Sequence, residues 1–338
     1  MLSGPLLRYI IAGSLRRDYL LTSKGEIQID IPGGNLLYAS MGLRLWDVDI
    51  GLLSRVGEDY PQEWFDLFLK IGLDTRGIKI LAERIDLRQF IADVDLETRN
   101  SENLASHFNR FRIPFPKSLL GYTTPIPQTC SRNQPSFETI RLSDIPSEYQ
   151  DSNAIHLCPL DFLSHSQLPP TLRQSQVTTV TIDPSEGYMN PIFWNDIPSI
   201  LRYTTAFLTS EQKISNLFQG RSTDLWEMAE TLANYGCEII VIKRKARGQF
   251  VYDHPGHKRW FIPAYPARVV DLTGAGDAFC GGFLAGYRKN YDPLEAALHG
   301  NISASMIIEG VGAFYSYDAL PGLAQARLDS IRSSPRKV

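Results

Sequence analysis

The 338-residue chain has little that would tie it to a membrane, a nucleic acid or an oxidising compartment. No hydrophobic run approaches the roughly 20 residues a bilayer-spanning helix needs. The apolar stretch inside Met1–Ala12 (Leu6, Leu7, Tyr9, Ile10, Ile11) is too short for a signal-peptide core. Its four cysteines, Cys130, Cys158, Cys237 and Cys280, are scattered, with no CxxC pair. That spacing argues against a zinc knuckle or a disulfide framework and predicts a reducing, cytoplasmic setting. An excess of one charge is missing too: the formal net charge is −3. The short basic run Lys243-Arg244-Lys245-Ala246-Arg247 reads as a solvated loop, so no nucleic-acid partner is expected. There is no G-x-x-x-x-G-K-[ST] loop and no protein-kinase catalytic loop, which removes both of those phosphotransferase classes.

What is present is an ordinary globular composition, 43% hydrophobic and 21% charged, long enough for one large α/β domain or two smaller ones. Apolar runs of strand length alternate with helical patterns. Strands are predicted over Leu6–Ala12, Asp18–Leu21, Glu26–Ile31, Asp49–Ser54 and Arg88–Val94. Others are predicted near Ala154–Cys158, Val177–Ile182, Thr205–Leu208 and Glu238–Ile242, with a hairpin at Gln249–Tyr252 and Arg259–Ile262. Helices are expected from the Gly33-Gly34-Asn35 corner to about Trp46, after Asp59 as cap with Pro61 in the first turn, and near Gly274, Pro293 and Asp318. Residues 85–150 hold Pro114, Pro116, Pro125, Pro127, Pro135 and Pro146 and read as loops around a single strand. Repeated strand–helix units imply a mostly parallel sheet covered on both faces. Ser333–Val338 is expected to fray.

The segment richest in chemistry is Asp271-Leu272-Thr273-Gly274-Ala275-Gly276-Asp277, followed by Ala278-Phe279-Cys280-Gly281-Gly282. Small residues at 274–276 let the backbone turn tightly and approach a ligand. The helical pattern behind them places the amides of Gly274–Asp277 at a helix N-terminus, where they and the helix dipole suit an anion. Asp277, in the first turn, is placed to accept a proton from a hydroxyl. An isolated glycine-rich turn with an aspartate is also a common helix entry.

The longer match decides between these. Asp271–Gly282 resembles the C-terminal signature D-T-x-G-A-G-D-x-F-x-x-G of the ribokinase-like (PfkB) carbohydrate kinases, with Leu272 in place of the second residue. Gly13 to Asp18 is similar to the family's G-x-x-x-x-D element, Gly33-Gly34-Asn35 to its G-G-N element, and Gly57-Glu58-Asp59 to its G-x-D element. The resemblance implies a doubly wound, mostly parallel α/β domain over residues 1–330, with a small β lid formed by about 16–32 and 86–113 and a tail over 331–338. It implies ATP-dependent phosphorylation of a hydroxyl on a sugar or related polyol. Asp277 would be the base, and the backbone of Gly274, Ala275 and Gly276 the anion hole. Asp18, Gly33, Gly34 and Asn35 would hold the substrate, and Ser210, Glu211, Lys243, Lys245, Gly248 and Thr273 the nucleotide and its Mg2+. Asp271, Thr273, Gly312 and Ser316 resemble a monovalent-cation (K+) site, and a homodimer through the lid is implied.

The chain departs from the pattern in three places. The family's N-x-x-E becomes Ser210-Glu211-Gln212-Lys213, its glycine becomes Lys245, and small residues after Asn35 become Leu36, Leu37 and Tyr38, which suggests an altered substrate pocket. A nucleoside kinase, or a kinase-derived binding or regulatory protein without turnover, is therefore the alternative. His254 and His257 flank Pro255-Gly256 and read as a turn rather than a metal pair, His156 as a core histidine, and Arg88, Arg99, Arg110 and Arg112 as solvated arginines, with one or two of them available to pair with an acidic or phosphorylated substrate.

Overall fold

Short apolar runs buried on both faces, separated by helices, produce a large sheet between two helical layers. A computed structural model describes residues 7–95, 98–125 and 129–338, so Leu6 and Pro127, named above, lie outside the described residues. The strands in chain order are β1 (Tyr9–Ala12), β2 (Arg16–Leu21), β3 (Ile27–Gly33), β4 (Ile50–Gly57), β5 (Leu73–Leu81), β6 (Arg88–Asp93) and β7 (Arg99–Asn100). They continue with β8 (Ala154–Leu157), β9 (Thr179–Ile182), β10 (Ala206–Ser210), β11 (Ile239–Lys243), β12 (Gln249–Asp253), β13 (Lys258–Ile262) and β14 (Arg336–Lys337). The large sheet has the order β14-β13-β12-β11-β10-β9-β8-β1-β4-β5, and the small one β3-β2-β6-β7. Every pairing from β5 through β11 in the large sheet is parallel. The strands β12, β13 and β14 add an antiparallel edge.

The helices are α1 (Asn35–Arg44), α2 (Gln62–Lys70), α3 (Leu104–Arg110), α4 (Phe162–Leu172), α5 (Ile197–Leu201), α6 (Glu211–Leu217), α7 (Leu225–Ala233), α8 (Ala275–Asn290), α9 (Pro293–Ile307) and α10 (Leu323–Ile331). Strand pleating sends alternate residues to opposite layers. Ile10 and Ala12 of β1 pack with residues of α4, α5 and α7, whereas Tyr9 and Ile11 pack with α1 and α8. The same alternation along β10 and β11 sends Phe207, Ile240 and Ile242 one way and Ala206, Leu208, Ile239 and Val241 towards α8 and α9. Such two-sided burial is why these strands read as continuous apolar runs. The small sheet has its own core, in which Tyr19, Leu21, Phe90 and Ala92 meet Phe108 of α3 and Leu119. No helix among the described residues is long and apolar enough to cross a membrane.

Five local expectations change, the first being residues 85–150, which hold α3 and β7 besides the single strand expected there. Asp59 does not cap α2: its carboxylate accepts the Ile85 amide at 3.0 Å, and Pro61 stands at the N-cap. Leu73–Leu81, unassigned from its sequence, is the edge strand β5, whose polar residues reflect one-sided cover. The helix expected near Asp318 begins at Leu323, after a 3-10 turn over Ala313–Asp318. The tail pairs instead of fraying, with Arg336 opposite Phe261 and Lys337 opposite Trp260.

Candidate active site

The parallel strands point their C-terminal ends at the turn preceding α8. Gly274 caps α8 in the left-handed conformation, φ 74°. A Cβ there would lie 1.9 Å from the Tyr38 ring, so only glycine makes this turn. The Ala275 amide bonds Leu272 O and the Ala278 amide bonds Gly274 O. Between them the amides of Gly276 and Asp277 find no acceptor among the described residues, the arrangement that suits a bound anion.

Asp277 stands in this first turn. Burial, with the nearby Asp183 carboxylate, pushes its acid up to about 7 against the pull of Lys243, Lys213 and Arg99. Asp183, 3% exposed, follows β9 directly. It holds Lys213 Nζ at 2.8 Å and Lys243 Nζ at 2.5 Å. Burial alone would raise the Asp183 acid, but the two ammonium groups outweigh it and hold it down at about 2. Burial opposes charge on Lys243 as well, and Asp183 keeps that amine firmly protonated. Lys243 Nζ also donates to Gly276 O at 3.3 Å and Cys280 Sγ at 3.2 Å, which sets a fixed positive charge behind the α8 turn.

Facing this turn is a second carboxyl, Asp18 of β2, 1% exposed, whose Oδ1 has no protein partner. Burial is the main reason its acid sits at about 7; the Gly34 amide and Arg16 lower it, and the charges of Asp271 and Asp277 raise it. A Cβ on Gly33 would lie 1.9 Å from the Asp18 carboxylate, so glycine is what lets Asp18 tuck in. Asn35 braces the corner: its Oδ1 accepts the Ser14 amide at 2.8 Å and its Nδ2 donates to Pro159 O at 3.1 Å. One N–H and one lone pair of that amide remain for a ligand. Leu36 and Leu37 are wholly buried in the core, and only Tyr38 of that trio approaches the site, its hydroxyl buried without a partner.

The lid contributes a cation. Arg99 of β7, read above as solvated, donates to Thr273 Oγ1 at 3.0 Å and Asp271 Oδ1 at 3.4 Å, and pairs with Asp93 at 3.2 Å. Asp271 Oδ1 also accepts the Thr273 amide at 2.8 Å, while its Oδ2 is buried without a partner. Ser316 Oγ is in the same condition, in the turn that follows Gly312 (φ 86°).

Residues expected at the nucleotide are partly committed elsewhere. Ser210 caps α6, its Oγ accepting the Lys213 amide at 3.2 Å. Glu211 is paired with Arg244 and Arg247. Lys245 is exposed and keeps the left-handed backbone that a glycine would favour, φ 53°. Gly248 closes the same turn, φ 84°. Asp183 and Lys213 were also missed as site residues. The available signal for Asp183 was its place just past a parallel strand, where such sheets bind ligands. His156, Nδ1 2.9 Å from Thr181 Oγ1, is a core residue, and burial lowers its pKa to about 3. His254 and His257 lie in the turn between β12 and β13.

A family model described as "pfkB family carbohydrate kinase" matches residues 167–320. A cytidine kinase of Thermococcus kodakarensis is 26% identical over 86% of this chain and 91% of its own length. Among solved structures, a protein described as a candidate ribokinase II from E. coli, in complex with ATP and Mg2+, superposes with a TM-score of 0.69 at 16% identity, covering 96% of this chain and 100% of that one. A Burkholderia thailandensis nucleoside kinase in complex with inosine does so at 0.67 and 18%, covering 96% and 99%. The two structures share the ribokinase-like fold with this chain. The signature at Asp271–Gly282 is seated on the α8 turn, inside the stretch over which this chain is similar to the pfkB family of carbohydrate kinases.

Proposed function

We propose that this chain transfers the terminal phosphoryl group of ATP to a hydroxyl of a sugar, either free or as the ribose of a nucleoside. The observation that carries this is Asp277: a carboxyl poised at about 7, in the open first turn of α8, with Lys243 fixed behind it. An ionised Asp277 takes the proton of the acceptor hydroxyl. The hydroxyl oxygen forms its bond to the γ-phosphorus as the bond to the bridging oxygen breaks and that electron pair leaves with ADP. The amides of Gly276 and Asp277 and the α8 dipole meet the charge on the transferring group. Asp18 Oδ1, buried and unpartnered, accepts from a second substrate hydroxyl, and Arg99 brings a cation from the lid.

Lys245 and Gly248 form the turn read here as the nucleotide phosphate contact. The acids that could hold Mg2+ are already paired, Glu211 with two arginines and Asp183 with two lysines. Among the described residues these two acids therefore offer no magnesium site of their own, and the ion is read as entering on the nucleotide. Asp271 Oδ2 and Ser316 Oγ, two buried oxygens without partners, suit a monovalent cation, which would add fixed positive charge beneath the α8 turn. Four free thiols support a reducing, cytoplasmic setting, and the unpaired outer edge of β3 in the small sheet is the place where a homodimer through the lid would form.

The test is ADP release with Mg-ATP across sugars, sugar acids, sugar phosphates, polyols and nucleosides. One acceptor class should turn over, and Asp277→Asn should lower kcat about a hundredfold or more. Full turnover by Asp277→Asn would remove Asp277 as the base. Silence across the panel, with ATP still raising the melting temperature, would favour a kinase-derived binding protein, the reading that the Lys213 substitution supports.

A further inference from the structure

At the other end of α8 lies a cavity of about 760 Å3 lined by Arg8, Trp46, Arg288, Lys289 and His299 among others. Small-ligand pockets commonly span about 300–1,000 Å3. Lys289 is twelve residues along the helix from Asp277, about 18 Å at 1.5 Å per residue, and the cavity also touches Tyr9, the first residue of β1. It therefore opens at the N-terminal ends of the parallel strands, away from the site described above.

Its chemistry is specific. The Arg288 guanidinium is held by hydroxyls, Thr178 at 3.0 Å, Thr179 at 3.2 Å and Tyr291 at 2.5 Å, with no carboxylate among them. Lys289 is exposed and has no ion pair among the described residues. The acid of the cavity, Asp47, is already engaged by the Tyr9 hydroxyl at 2.8 Å and by Arg8 at 3.4 Å. His299 is 1% exposed, with its ring 4.4 Å from that of Trp46. Its Nδ1 lies 2.7 Å from Glu295 O; a carbonyl only accepts, so Nδ1 carries the proton. Nε2 is then an acceptor, and it is buried with nothing donating to it. Cations at a helix C-terminus are common. A buried imidazole nitrogen with no donor, on a side chain that borders a cavity, is not.

We propose that this cavity is a second ligand site, for a small phosphorylated metabolite that also carries hydroxyls. The phosphate is met by Arg288 and Lys289, and a ligand hydroxyl donates to His299 Nε2. A sugar phosphate and a nucleoside monophosphate share this chemistry.

The experiment is calorimetric binding of ribose 5-phosphate, AMP and inorganic phosphate to the full chain, to the double variant Arg288→Gln, Lys289→Gln, and to the lid variant Arg99→Gln, with melting curves to verify folding. A 15N-imidazole spectrum locates the ligand through the His299 Nε2 resonance. The expected result is that one organophosphate binds, that the double variant weakens it about tenfold or more, that Arg99→Gln does not, and that the His299 resonance shifts on titration. Three results would overturn the proposal: no organophosphate binding, binding unaffected by the double variant, or binding lost only in Arg99→Gln, which would place the ligand in the kinase site.

Discussion

Replacing Asp18 by asparagine should make the unliganded protein more stable above neutral pH while disabling it. The carboxyl is 1% exposed, and its acid lies at about 7 instead of its ordinary 3.8. In the interval between those values the folded chain holds a proton that the unfolded chain has lost, so stability falls as pH rises from about 4 to 7. Roughly three tenfold steps at ~1.4 kcal/mol each set the full penalty at about 4 kcal/mol. Water entering the cleft and mutual adjustment with Asp271 and Asp277 screen part of it, which leaves an expected gain of ~2 kcal/mol for Asp18→Asn at pH 8. Asparagine is isosteric and keeps an oxygen for the Gly34 amide, so the comparison isolates the charge. Urea unfolding of both proteins at pH 5 and pH 8 reads the effect. The two curves should lie close together at pH 5, with the variant ahead at pH 8. A variant less stable than its parent at pH 8, or a difference that ignores pH, would refute the assignment of burial as the cause. Activity should fall about a hundredfold or more, because the hydroxyl partner has lost its charge.

The remaining expectations concern rate. Because Asp277 must be ionised to act and Asp18 must be ionised to hold the substrate, and both acids lie at about 7, kcat/KM should climb more steeply than tenfold per pH unit below neutrality, towards about a hundredfold, and level off above it; a flat profile between pH 5 and 8 would contradict the base assignment. Arg99 is one of the cations holding the Asp277 acid down, so Arg99→Gln should move that limb to higher pH and lower kcat; a pH–rate profile that superimposes on that of the parent would confine Arg99 to lid structure. With Asp271 Oδ2 and Ser316 Oγ as cation ligands, K+ should stimulate turnover more than Li+, and Ser316→Ala should weaken the stimulation several-fold. Equal rates in both salts would dismiss the cation site.

The features legible in the sequence are those that depend on near neighbours along the chain. Asp271–Gly282 could be read because a tight turn, a left-handed residue and a helix start are all specified within a dozen positions. The parallel strands could be read because two-sided burial writes itself as a short apolar run. The electrostatics could not. Asp183 meets Lys213 and Lys243, 30 and 60 positions away, and Arg99 crosses from the lid to Asp271, 172 positions on. Nothing local ties Lys213 or Arg99 to those partners. Asp59 illustrates the same limit: its sequence context suits a helix cap, and an amide arriving from residue 85 takes it instead. β5 escaped because an edge strand covered on one side alternates with polar residues such as Asp74, Arg76 and Lys79, which resemble a loop in isolation.

The short terminal strand β14 carries a consequence beyond its two residues. Its backbone bonds to β13 occupy the outer rim of the antiparallel extension, where Trp260 and Phe261 lie, and the Val338 amide adds a further bond to Arg259 O. A chain trimmed before Arg336 would offer that rim to any extended peptide able to dock alongside, including its own copies, since an open, aromatic-bearing edge is a template for intermolecular pairing. A purification tag fused after Val338 would emerge directly from this seam. Precipitation of a form shortened before Arg336, at unchanged melting temperature, would point to the exposed rim.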